Sequence, residues 1–191
     1  DIDSGIGMSF INDGNVYHGI HHMEGEVGHI SVLPEGPLCR CGRNGCLEVV
    51  SSGSAIIKKA AELAAFGDRR RGSTAKIGDL PERTAIRTVF KMAERNNPGF
   101  LKILNDAGRH IGSSIAGIVT YADPELVVLT GYVPEEDPGI FLSIIDRAYR
   151  DKVFAPDMRK TIIVKGALGE DSALIGGATL AYKEMFEGTG G

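Results

Sequence analysis

Residues 123–131 read DPELVVLTG, and this short stretch decides the fold class. Asp123-Pro124 ends whatever helix precedes it, because a residue before proline is driven out of the α region. ELVVLTG is then a continuous apolar run of strand length, the pattern of a strand buried on both faces in a parallel sheet. On its N-terminal side, residues 98–121 predict a long helix. Pro98 opens it, and Leu101, Leu104, Ile111, Ile115 and Ile118 recur at helical spacing. Gly108, Gly112, Ser113 and Gly117 are small enough to let a neighbour approach closely. On its C-terminal side come a predicted helix (138–151), a strand TIIVKG (161–166) and a last helix SALIGGATLAYKEMF (172–186). An α-β-α-β-α order indicates a parallel sheet covered by helices.

The N-terminal half is less regular. IGMSFI (6–11) and VYHGI (16–20) flank the turn residues NDGN and predict a hairpin, with Asp-Gly supplying the positive φ. HISV (29–32) predicts a third short strand. A helix is expected near Leu47, with a second start at Ser54, which can cap AIIKKAAELAAFG; Gly67 closes it. DRRRGSTAKIGDLPER (68–83) reads as a solvated loop, and residues 84–95 as another helix.

The chain has 191 residues, 42% hydrophobic and 24% charged, which is enough for an ordinary core. Its net charge of −4 argues against a nucleic-acid footprint on these residues. No run approaches the length of apolar residues that crosses a membrane, so no spanning helix is predicted. The opening DIDSGIGMSF is not a signal peptide and reads as a strand entered in the middle of a fold, so part of a longer protein is expected.

All three cysteines, Cys39, Cys41 and Cys46, stand in one loop, ten residues after His29. An odd number fits a secreted disulfide framework poorly and suits a reduced, cytoplasmic setting. One nitrogen and three sulfurs form a closed structural ligand set for Zn²⁺. Gly42 and Gly45 let the chain turn tightly around an ion, and LPEGPL before them offers little else to hold the loop. The bland alternative is three buried free thiols. A closed site leaves no open position for water, so the metal reads as a brace. Glu26 and Glu48 flank it, and the second ring nitrogen of His29 is free to bond something else. Two carboxylates and an imidazole beside a rigid loop suit a polyhydroxylated ligand, although Glu48 also reads as a first-turn helix residue.

GEVGHI (25–30), CRCGRNGCLE (39–48), DPELVVLTG and LGEDSALIGGATLAY (168–182) resemble the ROK family of repressors, open reading frames and sugar kinases, over nearly the whole chain. The resemblance implies the actin-like, ribonuclease-H-like ATPase fold: a mixed sheet with helices on both faces and a zinc-binding loop at 29–48. It implies that residues 1–191 form one C-terminal lobe whose N-terminal lobe lies outside them. It also implies zinc on His29, Cys39, Cys41 and Cys46, and a sugar or amino sugar on Glu26, His29 and Glu48. No catalytic residue falls in this chain, because the family's catalytic aspartate belongs to the other lobe. A homo-oligomer is implied too; FLSIIDRAY (141–149) reads either as a pairing surface or as a face turned to the sheet.

Two departures bear on the nucleotide. Family kinases turn a Gly-Thr-Gly loop toward the phosphates; the matching stretch here is DSGIG, with Ser4, Gly5 and Gly7. Kinases carry two glycines beside the adenosine; here Gly131 is followed by Tyr132, whose ring either blocks the pocket or stacks on adenine. The reading leans to the sugar-binding effector domain of a transcriptional regulator, which would reach DNA only through a region outside these residues. The alternative is the C-terminal half of a sugar kinase using ATP and Mg²⁺. A zinc-braced assembly module is the third.

Overall fold

The computed structural model describes residues 1–68 and 77–186. The cationic run at 69–71 lies outside the described residues. The hairpin strands β1 (Ile11–Asn12) and β2 (Asn15–Val16) come first. Helices α1 (Leu47–Ser51), α2 (Gly53–Asp68), α3 (Glu82–Glu94) and α4 (Pro98–Ala122) follow. Strand β3 (Leu126–Leu129), helices α5 (Tyr132–Glu136) and α6 (Ile140–Lys152), strand β4 (Ile162–Lys165) and helix α7 (Ser172–Phe186) complete the order.

Helix α4 is the axis of the core. The Asn97 side chain accepts from the Gly99 amide at 3.1 Å, Pro98 takes the first helical position, and Asp123 ends the helix in the left-handed region at φ 47°. Leu104, Ile111 and Ile115 are buried, with Leu101 and Ile118 at the margin of the same stripe. A methyl at Gly108 would stand 2.7 Å from Ile144 Cγ2, and one at Gly112 would stand 2.7 Å from Ala148 Cβ, so these two glycines set the close approach of α6. Gly117 meets nothing there and faces away. The residues 141–149 therefore pack mainly on α4 through Phe141, Ile145 and Tyr149, with a smaller contact to strand β4, and do not form an open apolar surface.

The strands depart from expectation. β3 and β4 pair in parallel, Leu126 with Ile162 through Leu129 with Lys165. Only one face is covered: Leu129 and Ile163 are buried, while Leu126, Val128 and Ile162 remain about half exposed. The pair is therefore half-buried, and the single mixed sheet covered on both faces appears among the described residues only as two separate two-stranded ribbons. HISV is not a strand. Val27–His29 forms one 3₁₀ turn, and Ser31 makes an isolated bridge to Cys46. The cap of α2 is Ser52, whose hydroxyl accepts from the Ala55 amide at 3.2 Å, instead of Ser54, and the helix runs through Gly67 to Asp68. Helix α5 was not predicted; it starts after Gly131, which sits at φ 96°. Helix α7 exists as expected but buries none of its residues. No helix among the described residues is long and apolar enough to cross a membrane.

Candidate functional site

The cysteine loop is knitted by its own backbone. The Cys39 amide donates to Arg43 O at 2.8 Å, and the Gly42 amide donates back to Cys39 O at 2.9 Å. Gly42 and Gly45 take φ of 87° and 62°, as the tight turns require. The amides of Val32 and Leu33 both donate to Gly45 O, and a side chain at Gly45 would strike the Leu33 carbonyl. Leu47 donates to Ile30 O at 2.8 Å, which ties the start of α1 to the same frame.

This backbone brings four donors together. One donor atom from each of His29, Cys39, Cys41 and Cys46 lies within 4.8 Å of all the others. Cys41 Sγ is 3.5 Å from Cys46 Sγ, and Cys39 Sγ is 3.6 Å from His29 Nδ1. A tetrahedral ion with bonds of about 2.3 Å to sulfur and about 2.0–2.1 Å to nitrogen sets edges of about 3.6–3.8 Å. Two of the separations are thus close to tetrahedral edges, and all four donors are near enough to share one ion. Cys39 and Cys46 are buried and Cys41 is exposed. The Arg43 backbone and guanidinium hold the Cys41 thiol down to about 6, whereas burial pushes Cys46 up to about 11.

The flanking carboxylates differ. Glu48 is in the first turn of α1, with its side chain 14% exposed, and Arg40 Nε approaches it at 3.4 Å. Glu26 is 63% exposed and lies 3.7 Å from His29 Nε2. His29 therefore turns Nδ1 to the sulfurs and Nε2 to the carboxylate. The segment Ser4–Gly7 joins this group: a methyl on Gly5 would stand 2.7 Å from Glu48 Oε2, and one on Gly28 would strike Ile6 O. Gly7 faces open space and Ser4 is exposed.

The N-terminal segment also meets the end of β3. Ile2 donates to Thr130 O at 2.8 Å, and Val133 donates to Ile2 O at 3.2 Å. A methyl on Gly131 would stand 2.7 Å from Asp3 Oδ1, and the same carboxylate accepts from the Tyr132 amide at 2.5 Å. Residues 1–7 thus run from the end of β3, where Ile2 and Asp3 meet Thr130 and Gly131, to Glu48 and Gly28 beside the cysteine loop. The Tyr132 ring does not share the surface. It is 7% exposed and turned under the start of α2, where a methyl on Gly53 would meet its hydroxyl. Burial raises its pKa above the ordinary phenol range.

Asp3 and Arg40 were not named from sequence. Asp3 carried a signal, an acid inside a glycine-rich turn; Arg40 carried none beyond its place between two cysteines. Two cavities lie nearby. One of about 100 Å³ opens at the carboxyl ends of β3 and β4, lined by Thr130, Glu135, Gly166 and Ser172 among others. The larger, about 900 Å³, lies between the hairpin and α4, against Met8, Phe10, Tyr17, Ser113 and Tyr121, and contains none of the predicted site residues.

The ROK family profile matches residues 1–184. The chain belongs to the ROK family. It is 29% identical to a glucokinase of Halalkalibacterium halodurans over 96% of this chain and 55% of that protein. It is 28% identical to the N-acetylglucosamine repressor of Shigella flexneri over 98% of this chain and 44% of that one. Among solved structures, a ROK family glucokinase from Streptomyces griseus in complex with glucose and AMPPNP superposes with a TM-score of 0.77, at 26% identity, over 95% of this chain and 59% of that one. ROK relatives thus include both kinases and repressors, the fold is that of the ROK sugar kinases and regulators, and the chain spans about half the length of the relatives it matches.

Proposed function

We propose that this chain is the C-terminal lobe of a ROK transcriptional regulator and serves as its zinc-braced, sugar-binding effector domain. The four-donor cluster supports Zn²⁺, because two of its separations, 3.5 and 3.6 Å, lie near tetrahedral edges and its ligand chemistry is one nitrogen and three sulfurs. A closed set leaves the ion no substrate position. Its contribution is to order the loop and to aim His29 Nε2 at the hydroxyls of a sugar or amino sugar. Glu26 and Glu48 accept hydrogen bonds from the same ligand. An N-terminal lobe supplies the opposite wall, and a DNA-binding region outside these residues reads out the sugar. A homo-oligomer is part of this reading.

The observation that carries the regulator over the kinase is the Asp3 carboxylate. It sits between the Ser4–Gly7 segment and Gly131, fixed by the Tyr132 amide. A second carboxylate, Asp1, accepts from Thr130 Oγ1 at 3.1 Å. Anionic groups at this position repel a polyphosphate. The kinase reading has its own support. The Tyr132 ring is turned away instead of blocking, and the small cavity at the ends of β3 and β4 remains open beside Gly131. The test is titration of the full-length protein with ATP and Mg²⁺, with ADP release measured against hexoses and acetamido hexoses. No ATP binding, together with sugar-dependent release of operator DNA, is expected. Sugar-dependent ADP release overturns the regulator in favour of the kinase.

A further inference from the structure

A second donor set stands in the turn between the hairpin and Glu26. His18, His22 and Glu24 bring one nitrogen or oxygen each to within 4.8 Å of one another. His18 Nδ1 is 2.9 Å from Glu24 Oε1, and the two imidazole rings lie 5.7 Å apart between centroids. The turn is closed by its backbone. The His22 amide donates to Gly19 O at 3.0 Å, and the Gly19 amide donates to Glu24 Oε2 at 3.0 Å. His22 holds φ 50°, a left-handed conformation that β-carbon-bearing residues rarely take without such closure. The Met8 amide, donating to Gly25 O at 2.9 Å, anchors the C-terminal side. Apolar packing does not hold this turn: Ile20 is 91% and Met23 is 73% exposed.

We propose that His18, His22 and Glu24 form an exchangeable transition-metal site, distinct from the cysteine cluster. Two imidazoles and one carboxylate select Zn²⁺, Ni²⁺ or Co²⁺ over Mg²⁺ and Ca²⁺, which take oxygen ligands. Three protein ligands on an exposed turn leave coordination positions for water, so the ion exchanges where the cysteine-bound one does not. His18 Nδ1 and Glu24 Oε1 open from 2.9 Å to about 3.4 Å, the edge of a tetrahedron with bonds near 2.0–2.1 Å, a movement the exposed His18 side chain makes while the Gly19 amide holds Glu24 Oε2. The ion takes the place of the hydrogen in the His18–Glu24 hydrogen bond, and the proton released passes to solvent. His21 faces solvent in the same run and is outside the set.

The experiment uses the full-length protein, first saturated with zinc at its tightest site, then dialysed against Co²⁺ alone. One further equivalent per chain is expected, with a visible spectrum lacking thiolate-to-cobalt charge transfer. His18→Ala, His22→Asn and Glu24→Gln should each weaken that equivalent by at least about ten-fold, since loss of even an outer-shell partner costs about 10–100-fold. Asparagine tolerates the left-handed position, so His22→Asn removes the imidazole without straining the turn. His21→Ala should leave the affinity unchanged. No second equivalent in the parent protein overturns the site. So does an equal loss in His21→Ala and His22→Asn, which would mark general histidine binding.

Discussion

The cysteine loop and the histidine turn are two donor sets close in sequence, built by opposite means. In the loop, two of the four donors are buried, and interlocking amide–carbonyl bonds run through the segments that carry Cys39, Cys46 and His29. In the turn, two of three donors are exposed and the closure is local to Gly19, His22 and Glu24. Burial separates a brace from an exchangeable site, because a buried thiolate set without its ion carries a desolvation cost, as the raised Cys46 shows. An exposed imidazole pair carries no such cost, so its loss should leave the fold intact.

The largest expected effect is therefore on the loop. Binding of a structural zinc provides about 10–16 kcal/mol, so Cys41→Ser or chelation should remove several kcal/mol of stability. For a chain of this length about 1 kcal/mol corresponds to about 2–4 °C, which predicts a fall in Tm of at least about 10 °C by calorimetry. His22→Asn should move Tm by less than about 2 °C in the same experiment. Equal shifts for the two would break the distinction between brace and exchangeable site.

A smaller effect separates two glycines of the loop. Gly42 and Gly45 both hold positive φ, yet a methyl on Gly42 meets open space and one on Gly45 strikes the Leu33 carbonyl. Gly42→Ala should cost about 1 kcal/mol for the left-handed backbone alone. Gly45→Ala should cost more, about 1–3 kcal/mol beyond that, and lower the zinc content as the frame opens. Metal analysis beside denaturant unfolding of both variants checks this; equal costs would show that the frame does not depend on the Gly45 contact.

The sequence foretold these two regions unequally. Three cysteines and a histidine in one glycine-rich loop announce their chemistry, because few other uses explain that composition. The long helix 98–121 was equally plain, since its cap, its proline, its stripe and its stop all agree. The histidine turn was silent: His18, His22 and Glu24 become neighbours only through the backbone closure at Gly19, which no spacing rule encodes. Strand lengths and burial were also overestimated, because an apolar run such as LVVL does not reveal which face is covered. Helix α7 shows the same limit from the other side. Its apolar pattern predicted the helix correctly but said nothing about a partner surface, and Leu174, Leu180 and Phe186 remain exposed.

The smallest effect concerns the two carboxylates, one beside each region. Glu48 stands behind the cysteine loop, 14% exposed and approached by Arg40. Glu26 follows the histidine turn at 63% exposure. If both accept from sugar hydroxyls, their contributions should differ, because a hydrogen bond to a shielded carboxylate is less weakened by competing water. A bond to a charged group contributes about 1.5–3 kcal/mol, and 1.4 kcal/mol is a factor of ten in affinity. Glu48→Gln in the full-length protein should therefore weaken sugar binding by at least about ten-fold, and Glu26→Gln by about two- to five-fold, since its carboxylate is solvated. Calorimetric titration with glucose and N-acetylglucosamine reads both. A larger loss at Glu26 would mean that the second lobe covers it on binding; no loss at either would remove both carboxylates from the site and leave His29 Nε2 as its remaining polar contact.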